Sequence, residues 1–281
     1  MDRRTFLTRA GAAAALVLAH RGAGAGEPVP PGRDEKRSMG QAPWITSLEL
    51  LTAAPIAAMV GFYRDTLGLS VLDERADRVT IGCGRTPVTF VAAAAAAADA
   101  GRPFYHFAFN IPENKVRAAR DWQAERTPLI PPPERLRDPE YPDDIVNYRH
   151  WNAHSVFFFD PAENVVEYIA RHDLPNAASG GFGPADILYA SEIGFVVDDV
   201  LETADVLRGV AGVERYRSGD DQFTALGDEH GLLLVFRRGR VLSLASERTK
   251  AADVYRTVAH LRGASRTRHT FDAYPYEIEV G

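Results

Sequence analysis

His154-Ser155-Val156-Phe157-Phe158-Phe159, then Asp160-Pro161-Ala162-Glu163, then Asn164-Val165-Val166-Glu167-Tyr168-Ile169 is the stretch on which the reading of this chain turns. Two runs of aromatic and β-branched residues flank four turn formers, the pattern of a β-hairpin. Side chains alternate across a strand, so the register decides which of them share a face. If Phe159 pairs with Asn164, His154 and Glu167 lie together; if it pairs with Val165, they lie on opposite faces. Glu167 sits among Val and Tyr, where a carboxylate is costly to bury without a cation or metal beside it. That marks it as a functional candidate.

Upstream, Phe104-Tyr105-His106-Phe107-Ala108-Phe109-Asn110-Ile111 alternates so that His106, Ala108 and Asn110 share one face of a strand. Pro112-Glu113 opens a predicted helix running to about Glu125, since proline suits a first helical turn. A long Pro-rich stretch, Thr127 to Asp144, separates helix from hairpin, and with His150 just beyond it has the length of a functional loop. The same order of elements occurs twice more. In one copy a strand at Ile45 to Leu51 precedes a helix from Pro55 to Thr66, a Gly68 C-cap, and strands at Leu69 to Leu72, Arg78 to Ile81 and Val88 to Ala92. In the other, Glu192 to Val197 leads through a helix at Val200 to Arg208 into Phe223 to Leu226 and Gly231 to Phe236, joined by Asp228-Glu229-His230.

These copies predict an α+β fold of repeated βαβββ units forming paired curved mixed sheets. The expected organisation is a paired module over residues 43–174, a linker at 175–186 containing Gly180-Gly181-Phe182-Gly183, a third unit at 187–240, and a tail at 241–281. A lone unit leaves a sheet face bare. Either the tail, ending Tyr276-Glu277-Ile278-Glu279-Val280, adds a strand to it or a second copy of the chain covers it, which makes a homodimer an expectation.

Phe62-Tyr63-Arg64-Asp65-Thr66-Leu67-Gly68-Leu69, the His-x-x-Phe of His106 to Phe109, and the hairpin through Glu167 together resemble the vicinal oxygen chelate superfamily, which includes glyoxalase I, extradiol ring-cleaving dioxygenases and bleomycin-resistance proteins. The resemblance spans roughly residues 44 to 240. It implies facing βαβββ units whose sheets make a cup around a divalent metal, with His106 and Glu167 at ligand positions and His154 or Tyr168 assisting proton transfer. An imidazole with a carboxylate suits Fe(II), Mn(II), Zn or Ni. In the first copy the opening ligand position falls on Leu48, or on Glu49 if the register slips by one; in the third it falls on Glu192. Glu49 and Glu192 read as solvent-facing or arginine-paired carboxylates, and His172 and His230 as turn residues. The implied function is that of a ring-cleaving dioxygenase acting on a small oxygenated substrate. A glyoxalase-type lyase or isomerase, and a non-catalytic protein that sequesters a small molecule, are the alternatives.

Composition narrows the partners. With 46% hydrophobic and 25% charged residues over 281 positions and a net charge of −6, the chain offers no basic field for nucleic acid or anionic lipid. Its one cysteine, Cys83, excludes an internal disulfide and a cysteine-based zinc cluster, and reads as a small core hydrophobe. At the start, Arg3-Arg4-Thr5-Phe6-Leu7 precedes the apolar run Ala10 to Ala19 and the small residues Ala23 to Gly26. The run is about half of the ~20 residues a membrane span needs, so residues 1–26 read as a twin-arginine export signal and not as a permanent anchor. Residues 27–42 read as a linker, and the expected location is periplasmic or secreted.

Overall fold

The computed structural model describes residues 45–93, 102–241, 251–263 and 266–281. Residues 1–26, expected to be an export signal, and residues 27–42, expected to be a linker, lie outside the described residues. Strands β1 (Ile45–Thr52), β2 (Ser70–Glu74), β3 (Arg78–Cys83) and β4 (Thr86–Ala92) belong to the first unit, with helix α1 (Ile56–Val60) continuing as a π-helical turn to Thr66. The second unit comprises β5 (His106–Ile111), α2 (Val116–Ala124), β6 (Val146–Tyr148), β7 (Ala153–Phe159) and β8 (Val165–Arg171). The third comprises β9 (Tyr189–Val197), α3 (Val200–Ala211), β10 (Phe223–Asp228) and β11 (Gly231–Arg237). The tail forms β12 (Thr257–Leu261), β13 (Thr267–Thr270) and β14 (Tyr276–Val280). Among the described residues no helix is long and apolar enough to cross a membrane.

Two seven-stranded mixed sheets result, in the orders β13-β14-β12-β1-β4-β3-β2 and β10-β11-β9-β5-β8-β7-β6. Each is built from two units meeting at their opening strands: β1 runs antiparallel to β12, and β5 antiparallel to β9. Within each unit the opening strand lies parallel to the closing one, as in β1 with β4, β5 with β8, β9 with β11 and β12 with β14. The described residues of the tail therefore follow the strand order of a fourth unit, with no helix among them. This corrects the expected pairing. The second unit closes with the third, not with the first, and the first is completed by the tail. The third unit, expected to need the tail or a second copy of the chain, is instead covered by the second unit through β5 and β9, while the tail adds its strands to the first.

The sequence explains the division of faces. In β1, Leu48 and Leu50 point into the core while Glu49 faces outward, held by Arg256 at 2.6 Å and Arg78 at 3.6 Å. One apolar cluster fills the space between the sheets and takes in the helices through Met59, Tyr63, Ala119, Ala204 and Leu207. Cys83 is buried there, and desolvation pushes its thiol up out of the reactive range. Tyrosine hydroxyls tie the sheets together. Tyr276 donates to the Val196 carbonyl and accepts from the Val196 amide, and Tyr105 donates to the Arg256 carbonyl and accepts from the Leu51 amide. At Gly84 (φ 56°) the Leu188 carbonyl oxygen comes within 2.1 Å of where a Cβ would stand, so only glycine fits that turn.

The hairpin turn is a hub of the fold. Asp160, 4% exposed, accepts hydrogen bonds from Tyr63 Oη at 2.8 Å, from the amides of Ala162 and Asn164, and from Asn164 Nδ2. Asn164 Oδ1 in turn accepts from the Tyr105 amide at 2.8 Å. Asp160→Ala strands several buried donors at once. With each orphaned group costing about 1–3 kcal/mol, a loss of about 3 kcal/mol or more is expected in urea unfolding.

Candidate metal centre

Register places the site. Phe159 pairs with Val165, so His154 sits opposite Ala170 and Phe157 opposite Glu167. Glu167 lies beside Ala108 of β5, Ala108 beside Glu192 of β9, and Glu192 beside Leu232 of β11. One row of side chains thus runs across four strands on the concave face, with His106 one pleat away. His106 Nε2 is 3.3 Å from Glu167 Oε2 and 3.7 Å from Glu192 Oε2. Ligand atoms of the three lie within 4.8 Å of one another, and all three residues are buried. The structure therefore brings His106 and Glu167 together and adds Glu192 as third donor.

Glu192 does not face solvent; it is held by Arg171, which is fully buried at the end of β8 and whose guanidinium lies 5.8 Å from the Trp151 ring. Arg171 is the residue that sequence reasoning missed. It stands beside His172 and Asp173, in what reads as a strand end entering a polar turn.

The surroundings orient the donors. His106 Nδ1 is 3.0 Å from the Val165 carbonyl, which only an Nδ1–H can satisfy, so Nε2 is the ring atom turned toward the two carboxylates. Phe157 stacks on the imidazole at 6.0 Å and Phe236 meets it edge-on at 6.2 Å. Burial works against charge on His106, but Glu167 and Glu192 outweigh it and raise the imidazole to about 10. Burial, then Glu192, pushes the Glu167 carboxyl up. Neither His106 Nε2 nor Glu167 Oε1 has a hydrogen-bond partner in the protein; the Ser155 hydroxyl lies near Glu167 without meeting hydrogen-bond geometry.

The other candidates lie elsewhere. Tyr168 follows Glu167 on the strand and points into the core between the sheets, tilted against Phe158 and Phe182, so it faces away from the cup. His154 also lies on the far face. It bonds His172 Nε2 through Nδ1 at 2.8 Å, approaches Asp138 at 3.4 Å, and stacks under Tyr141 at 4.1 Å. His172 continues the chain to Glu113 at 3.2 Å, so it is a bridge and not a solvated turn residue. These contacts pin the long loop, through Asp138 and Tyr141, to the sheet. His150 lies at the mouth of the cup, and His230 in the β10–β11 turn beside Asp228.

Burial lowers the His154 imidazole, with Asp138 opposing and His172 and Arg117 reinforcing the shift. The folded state therefore binds this proton less readily than the unfolded chain, and its contribution to stability is lost as pH falls below about 6.5. The difference in urea midpoint between the native chain and His154→Gln is expected to shrink on acidification through that range.

A candidate dioxygenase from Bacillus subtilis superposes with a TM-score of 0.52 at 14% identity, covering 85% of this chain and 86% of that one. The fold is glyoxalase-like. Glyoxalase I from Zea mays aligns over 85% of this chain and 92% of its own at 12% identity and a TM-score of 0.47. Lactoylglutathione lyase from Agrobacterium tumefaciens covers 44% of this chain and 91% of its own at 23% identity and a TM-score of 0.34. No family model and no curated protein matches the sequence. Within this glyoxalase-like fold the donors sit on the opening and closing strands of the second unit and the opening strand of the third.

Proposed function

We propose that this chain is an exported, divalent-metal-dependent enzyme of the glyoxalase/dioxygenase kind, acting on a small oxygenated molecule in the cup of the second sheet. The observation that carries the reading is the buried convergence of His106, Glu167 and Glu192, with His106 Nε2 facing both carboxylates and Glu167 Oε1 accepting no hydrogen bond from the protein. The residues fit a metal. One imidazole with a fixed tautomer and two carboxylates form a donor set harder than two histidines and one carboxylate, favouring Mn(II) or Fe(II) over softer-ligand ions. A bound ion would supply Lewis-acid polarisation of a substrate oxygen.

The chain's own groups do the rest. The Val165 carbonyl fixes the His106 ring, Arg171 fixes Glu192, and Phe157 and Phe236 wall the imidazole from water. Glu167 Oε1, which accepts no hydrogen bond from the protein, is placed to take a proton from a molecule in the cup. Lyase or isomerase chemistry, which needs proton transfer beside a polarised oxygen, suits one histidine and two carboxylates better than ring cleavage does.

One observation favours sequestration instead. With His106 protonated, two cations (His106, Arg171) already balance two anions (Glu167, Glu192), so the cup is neutral without a metal. Elemental analysis of the purified chain separates the readings: close to one equivalent of Mn or Fe is expected, falling to background in His106→Ala. Less than about a tenth of an equivalent of any divalent metal removes the enzyme reading.

A further inference from the structure

The walls and mouth of the cup carry chemistry that its floor does not use. The cavity encloses about 160 Å³, close to the roughly 150 Å³ that accommodates benzene in an apolar void. Its walls are aromatic. Tyr148 and Trp151 have centroids 5.6 Å apart, and Trp151 lies at 6.3 Å and 30° from Phe223. These rings touch one another and present a continuous aromatic wall, against which a flat ring can stack or meet edge-on.

The mouth is cationic. Arg135, Arg149 and His150 line it and are exposed. Among the described residues no ion pair engages Arg135 or Arg149, whereas the neighbouring Arg137 is paired with Asp143 and Arg120 with Asp144. Two uncommitted guanidinium groups at one cavity mouth, in a chain of net charge −6, constitute an anion subsite. The floor carries no such excess of positive charge, because Glu167 and Glu192 balance His106 and Arg171, and its carboxylate oxygens can accept a hydrogen bond from a hydroxyl.

We propose that the ligand of the cup is a single-ring carboxylate: its ring lies among Tyr148, Trp151 and Phe223, its carboxylate is held at the mouth by Arg135 and Arg149, and its far-end oxygen points to His106 and Glu167. The inference rests on the cup being the ligand site named above. It does not require that a metal be bound.

The test is calorimetric titration of the full chain with 4-hydroxybenzoate and with its neutral isostere 4-hydroxybenzamide, with and without Mn(II), at low and high salt. The acid is expected to bind about tenfold or more tightly than the amide, as a charge-assisted contact predicts, with the ratio shrinking as salt rises. In the double variant Arg135→Gln/Arg149→Gln the two probes should bind alike while the melting temperature and Mn(II) stoichiometry stay unchanged. Equal binding of acid and amide to the native chain, failure of the acid to bind at all, or a preference that survives the double variant overturns the proposal. The Mn(II) stoichiometry from the same samples keeps the two claims apart. Acid preference without Mn(II) uptake sinks the metalloenzyme reading alone, and Mn(II) uptake without acid preference sinks the ligand proposal alone.

Discussion

Replacing Arg171 with methionine is expected to destabilise the metal-free protein by about 3–5 kcal/mol, the cost of breaking a buried ion pair from one side. Arg171 is fully buried and Glu192 is 1% exposed, so the orphaned carboxylate cannot turn to solvent. Its remaining cationic neighbour is His106 at 3.7 Å, already engaged with Glu167. Methionine keeps most of the length and packs beside Trp151, so the loss reports charge and not volume. Two controls sharpen the result. The double variant Arg171→Met/Glu192→Gln removes both charges and should recover most of the stability, giving a coupling energy in a double-mutant cycle. Saturating Mn(II) should also recover part of it, because a ligand that binds the folded state at about 100 times its Kd contributes about 2.7 kcal/mol. A loss below about 1 kcal/mol in urea unfolding of the single variant would show that Glu192 is not held by Arg171 in solution.

The second large effect is on metal affinity. Glu167→Gln preserves shape and one oxygen, yet removes the charge that faces His106 Nε2 across 3.3 Å. Changing groups that merely support a ligand costs about 10–100-fold in metal affinity, and losing a direct charged donor should cost no less. Competition against a fluorescent chelator is expected to show a weakening of about 100-fold for Mn(II), with the fold retained because glutamine lessens the burial penalty. His154→Gln and Tyr168→Phe, whose side chains lie on the other face of the sheet, should leave the Mn(II) affinity unchanged. If they weaken it as Glu167→Gln does, the assignment of faces is wrong.

That contrast marks the limit of what the chain discloses before folding. The hairpin, the Gly68 cap, the strands of the three units other than β6 and the closeness of His106 to Glu167 were legible because each is written in local alternation or turn chemistry, whereas β6 lies in what reads as a long loop. Which face His154 occupies was not, since it depends on whether Phe159 meets Asn164 or Val165, one residue apart. Glu192 and Arg171 were less legible still. They meet across 21 residues of sequence and only because β9 folds antiparallel onto β5, a choice of partner that no local pattern specifies. The fourth unit was hidden for a related reason: among its described residues no helix follows β12, whereas a helix follows the opening strand of each other copy. The stretch expected to be a linker is likewise fastened, with Lys115 Nζ donating to the Gly181 carbonyl at 2.9 Å and to Asp186 at 2.6 Å.

The pairing of β1 with β12 sets a timetable. Leu48 must wait for Ala259 before its strand gains that neighbour. At about 5–20 residues per second, synthesis of the roughly 200 intervening residues occupies about 10–40 s, during which the β1 edge is open to any passing strand. The second sheet, assembled from contiguous units, has no such delay. The nascent chain thus carries one finished half beside one half-built, aggregation-prone neighbour, and shortening it before Thr257 would leave that neighbour permanently incomplete.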